Sequence, residues 1–144
     1  MTRAHRRNGF TIIELIATVA ILGLLASMAV LKTRQSRDKA LRAGMIVDLK
    51  TLVSAQEGFF SANKDYAGGY AGREVTGLGG AGRAALAASN GDVIRVRYRG
   101  TNGWSATATN PRMTNAPKTC GVFIGPVAYS PNAAVTREGS PACY

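Results

Sequence analysis

RRNGFTIIELIATVAILGLLASMAVLK, Arg6 to Lys32, decides how the rest of the chain is read. From Phe10 to Leu31 there are 22 residues with no lysine or arginine and one acid, Glu14. As a helix this run spans about 33 Å, close to the hydrocarbon width of a bilayer. A basic leader containing Arg3, Arg6 and Arg7 precedes it and ends in Gly9. An ordinary secretory signal has an apolar stretch of about 7 to 15 residues and then a small-residue cleavage site. This run is longer, and Lys32, Arg34, Arg37 and Lys39 follow at once. It reads as a retained membrane segment. Basic residues flank both ends, so charge bias alone does not orient it.

Glu14 is the anomaly in the run. A carboxylate in hydrocarbon is costly and usually has a partner or a function. One reading keeps it shallow, near headgroups, or protonated. The other supplies a cation from elsewhere. A chain cut after Gly9 would carry a free amine on Phe10, four residues before Glu14. That amine could pair with Glu14 in the same chain or in a neighbour.

The order of basic leader, Gly9, Phe10-Thr11, Glu14 and apolar run resembles the class III signal of type IV pilins and their pseudopilin relatives. The resemblance covers roughly residues 6 to 31. It implies that a prepilin peptidase cuts after Gly9 and that Phe10 becomes N-methylated. It also implies that Glu14 pairs with the amino-terminal amine of the adjacent subunit during assembly. The family often has glycine at the position of Gly23, present here, and proline at that of Leu31, absent here.

Beyond the run, Leu41, Met45, Leu49, Leu52 and Phe59 recur at helical spacing, and Ile46, Val53 and Phe60 widen the stripe. Arg42, Asp48, Lys50 and Glu57 fall mostly between them. No proline occurs from Phe10 to Asn110. The pattern predicts one long helix over about 10–63; two helices broken near Ser36 are the alternative. The expected layout is a leader at 1–9, a membrane or filament-core half-helix at 10–31, an amphipathic half at 32–63, a connecting loop at 64–91 and a sheet at 92–144. The resemblance implies an α+β pilin fold, with the lower helix half packed on a small antiparallel sheet of three to four strands.

The loop is rich in glycine and alanine, with a helical turn expected near Arg83 to Ala88. It lacks the G-K-[ST] of a nucleotide loop. DVIRVRYRG alternates Ile94, Val96 and Tyr98 with Arg95, Arg97 and Arg99, and the apolar set suits the helix-facing side. WSATATN follows across a glycine-containing gap, so a hairpin is predicted. A third strand is expected from Thr119 to about Ile124.

Two cysteines, Cys120 and Cys143, lie near the carboxyl end. An even count in an exported chain reads as a bridge; two buried thiols are the alternative. A bridge also wants an oxidising far side, which puts the amino-terminus in the cytoplasm. In pilins such a bridge closes the carboxy-terminal loop.

The net charge of +10 falls to +7 when the three leader arginines are lost, and suits an acidic partner. Arg95, Arg97 and Arg99 form a solvent-facing row, read as a soluble strand face, as inter-subunit salt bridges, or as a phosphate contact in DNA uptake. No aromatic interleaves them, Tyr98 pointing the other way. The sequence shows no acid–base pair and no metal spacing, and its only histidine, His5, lies in the leader. No enzyme activity, cofactor or metal is expected.

The resemblance implies a homo-oligomeric helical filament, fed from the inner membrane by assembly machinery and serving adhesion, twitching motility or DNA uptake. A single-pass subunit with a cytoplasmic amino-terminus would become part of an extracellular pilus. A secretion pseudopilin or minor pilin is the nearest alternative, and a tethered DNA receptor a more distant one. Secretion pseudopilins commonly carry calcium in the carboxy-terminal loop. Here YSPNAAVTREGSPACY has one acid, Glu138, which favours a major pilin.

Overall fold

A computed structural model describes residues 9–67, 73–75, 88–98 and 101–144. One helix, α1, runs from Ile12 to Asn63 without a break at Ser36. The chain divides into two compact units, Met1–Ser36 and Arg37–Tyr144.

In the first unit, every large apolar residue from Phe10 to Val30 is more than half exposed. The helix here holds a segment long and apolar enough to cross a membrane. Its hydroxyls are satisfied locally. Thr18 Oγ1 donates to Leu15 O at 2.8 Å, and Ser27 Oγ to Leu24 O at 2.7 Å. Such back-bonding removes the need for water at these positions.

The second unit is α+β. Five antiparallel strands lie in chain order: β1 (Arg73–Val75), β2 (Val93–Tyr98), β3 (Trp104–Thr109), β4 (Thr119–Ile124) and β5 (Ala142–Cys143). The expected small sheet is present, with the two-residue β5 as an added edge. β1 falls inside the segment expected to be loop. Three residues between glycine-rich stretches give no alternation to read; they become a strand by pairing Glu74 with Arg95 and Val75 with Ile94 of β2. The turn expected near Arg83 lies outside the described residues, apart from Ala88.

Leu41, Met45, Leu49 and Leu52 of α1 enter one core with Ile94, Val96, Trp104, Ala106, Ala108 and Val122 of the sheet. Phe59 and Phe60 pack partly against it. Alternation explains the sheet's contribution: Val96, Ala106 and Val122 are in register on one face, at 0–2 % exposure. Phe123 and Val135 are buried apart from this cluster. Phe123 belongs to the opposite face, which the chain after β4 covers.

The helix face is more polar than its stripe predicts. Asp38 and Asp48 are buried. Asp38 takes two bonds from the backbone of Thr114 and Asn115 and two more from their side chains. Burial pushes its carboxyl upward, but those bonds win and hold it down at about 2. One turn on, Arg42 donates to the carbonyls of Pro117 (3.1 Å) and Ala116 (2.8 Å). Together they clamp the β3–β4 connection, which contains a cis Ala116–Pro117 bond. Asp48 Oδ2 accepts the Ser89 amide at 2.7 Å instead of facing water. Gln56 reads the Ala67 backbone, accepting its N–H at 2.9 Å and donating to its carbonyl. The helix ends where Lys64 adopts φ of 58° and donates back to Phe60 O.

Two acids far apart in sequence come together. Asp92 is 2 % exposed and lies beside Asp48. Its Oδ1 accepts from Asn110 Nδ2, while among the described residues its Oδ2 has no hydrogen-bond donor. Burial first, then the neighbouring Asp48, pushes the Asp92 carboxyl up.

Candidate assembly and surface sites

At the amino-terminus the structure answers what Glu14 does in a single chain. Thr11 stands at the N-cap and Glu14 three residues on. The Thr11 amide donates to Glu14 Oε2 at 2.9 Å, and the Thr11 hydroxyl donates to the same oxygen at 2.7 Å. The Glu14 amide in turn donates to Thr11 Oγ1 at 3.4 Å. This is a capping box, in which two otherwise unpaired amides of the first helical turn are satisfied reciprocally. The acid also complements the positive end of the helix. Both members lie after Gly9 in the chain. Both carboxylate bonds fall on Oε2; among the described residues Oε1 has none.

Thr11, part of the amino-terminal motif, has a capping role that the motif alone does not assign. Its signal was present, since Thr-x-x-Glu before an apolar run is a helix-start signature. Gly9 and Phe10 are exposed, with Phe10 at 81 %. A Cβ built on Gly9 meets nothing within 4 Å.

At the other end, Cys120 and Cys143 are register partners on β4 and β5 and form a disulfide. Cys120 is wholly buried in the main core, and Cys143 packs against it. The bridge therefore ties the last strand to the core face.

Of the arginine row, Arg95 and Arg97 project exposed from β2, while Arg99 lies outside the described residues. They do not stand on a flat face. With Thr107 and Ser105 as their register partners, and with Tyr129 from the chain after β4, they line a cavity of about 370 Å³. Gly121 permits its far wall: a Cβ there would come within 2.6 Å of Pro131 Cγ. The missing side chain lets Pro131, another lining residue, settle onto the sheet.

Residues 4–30 match the prokaryotic N-terminal methylation motif, so the chain carries a prepilin-type amino-terminus that marks it as a substrate for modification. It is 38 % identical over 61 residues to the type IV major pilin protein PilA of Myxococcus xanthus, covering 42 % of this chain and 28 % of that protein. It is 33 % identical over 64 residues to type II secretion system core protein G of Klebsiella michiganensis, covering 44 % and 45 %. The core protein G of Pectobacterium carotovorum subsp. carotovorum is 34 % identical over 62 residues, covering 43 % and 40 %. The match thus spans less than half the length of these curated relatives. No solved structure matches the chain.

Proposed function

We propose that this chain is a structural subunit that polymerises through its amino-terminal helix into a type IV pilus. The observation that carries this reading is the uncovered apolar surface from Phe10 to Val30. An all-round apolar helix is stable only in lipid or against other such helices. A subunit drawn from a membrane into a helical filament meets both surroundings in turn, through heterologous contacts that do not close. Prepilin peptidase would cut after Gly9 and methylate Phe10, and an inner-membrane machine would extract the subunit. Glu14 would then receive the amine of a neighbour's Phe10 on Oε1 while Thr11 retains Oε2. Before assembly the subunit would sit in the inner membrane, and afterwards in a filament at the cell surface.

The similarity to core protein G favours a second reading, a pseudopilin of a secretion system. The disulfide-closed carboxyl end and the acid-poor tail after Tyr129 support the pilus reading over it. Intact mass and amino-terminal sequencing of protein sheared from cell surfaces test the proposal. A chain beginning at methylated Phe10, lighter by two hydrogens for Cys120–Cys143, is expected. A chain still beginning at Met1 and confined to membranes would remove the reading.

A further inference from the structure

We propose that the cavity on the outer sheet face binds an acidic sugar, with Arg97 and Arg95 holding its carboxylate. The site lies wholly within the Arg37–Tyr144 unit and holds for either kind of filament. At about 370 Å³ it is at the small end of ligand pockets. That size takes one or two sugar rings.

The lining chemistry selects this class. Arg95 and Arg97 occupy alternate positions of β2, about 7 Å apart on one face. A guanidinium presents paired donors that fit a carboxylate in bidentate fashion. Arg95 has Glu74 as its register partner on β1 and Thr107 on β3. Arg97 has Ser105 as its β3 partner and, among the described residues, no ion pair. Ser105 and Thr107 also have no side-chain hydrogen-bond partner among the described residues. Each hydroxyl can donate or accept, as a sugar's own hydroxyls require. The Tyr129 ring adds an apolar surface for the carbon–hydrogen face of a pyranose.

A nucleic acid fits less well. A rigid duplex backbone cannot descend into a walled pocket. A single-stranded base needs stacking platforms in succession, and the lining offers one ring with no amide or acid side chain to read a base edge. Arg95 and Arg97, seen as part of a polymer track in sequence, line an open-mouthed pocket in three dimensions.

The test titrates the full-length chain in detergent micelles with digalacturonic acid, and in parallel with neutral lactose and with oligothymidylate. Calorimetry reads affinity, and the melting temperature reads fold. Saturable binding of the diuronate is expected, at least roughly tenfold tighter than lactose. Arg97→Gln should weaken it by about tenfold or more at an unchanged melting temperature, because it removes a charge-assisted pair from an exposed position. Thr107→Val should weaken diuronate and lactose alike. Equal affinity for both sugars, or an indifferent Arg97→Gln, overturns the proposal. So does binding of oligothymidylate alone with a steep salt dependence, which would make the patch a nucleic-acid contact. Absence of any binding at roughly 10 mM diuronate overturns it too, that being far weaker than a useful site.

Discussion

Helix α1 is built to two standards. Up to Val30 its large apolar residues are exposed, and the hydroxyls of Thr18 and Ser27 bond within the same helix. From Arg37 one face is buried, at Leu41, Met45, Leu49 and Leu52, and polar groups on it bond to distant backbone, as with Asp38 at Asn115 and Asp48 at Ser89, while Thr51 and Asn63 still bond within the helix. The first part can exchange one apolar surrounding for another without breaking a polar contact. The second part cannot move without breaking several. A single secondary structure thus serves an interchangeable surface and a fixed one, and among the described residues its long-range polar bonds fall only in the second part.

The sharpest way to break this contrast is to make one change in both parts. Leu49→Ala, in the core, should destabilise the chain by about 3 kcal/mol through lost burial and a residual cavity. Leu22→Ala should leave thermal melting in detergent within about 0.5 kcal/mol of wild type, because its site is exposed. It should instead lower filament yield. Equal melting losses from the two would dissolve the distinction.

Removing the bridge comes next. Cys120→Ser with Cys143→Ser should cost about 3 kcal/mol in the chain-entropy view, for a sequence separation of 23. Denaturant melts read the loss. A much smaller one would mean that β5 is held by packing alone.

Thr11→Ala should cost about 1 kcal/mol of helix start, seen as amide exchange or fraying in the first turn. Glu14→Gln keeps an acceptor for Thr11 but removes the charge. It should preserve the helix start and lose filaments. Filament yield unaffected by Glu14→Gln would leave Glu14 as a cap only.

The smallest effects are in pH. The Asp38 carboxyl is held down at about 2, so its contribution is full above pH 4 and is lost as pH falls toward 2. Asp38→Asn should flatten that acid limb. Asp92 is displaced upward, so its contribution is present in acid and is lost as pH rises through its folded value. Asp92→Asn places a donor beside Asp48 and should raise melting at pH 8 by at most about 4 °C, with less gain at pH 4. A drop at pH 8 would show that the charged form of Asp92 is the stabilising one.

Much of this fold was legible from Arg6 onward. The apolar run, the lower stripe and the strand alternation in VIRVRY and WSATAT each show a period that one buried face requires. What stayed hidden depended on residues far apart in sequence. Asp48 looked like a solvated position because nothing near it announces Ser89 or Asp92. The arginine row looked open because Tyr129 and Pro131 belong to an irregular tail. Thr11 is the exception, since Thr-x-x-Glu is a local signature whose partner lies within the same turn.

The sheet follows chain order from β1 to β5, each strand pairing only with its sequence neighbours. A chain emerging amino-terminus first therefore never waits for a later strand to fill a gap between earlier ones. Each hairpin can add to an edge already in place, which keeps loop closures short and folding quick. The covalent tie between β4 and β5 can form only after Cys143 emerges. Oxidation can therefore latch the last strand only onto strands that have already emerged.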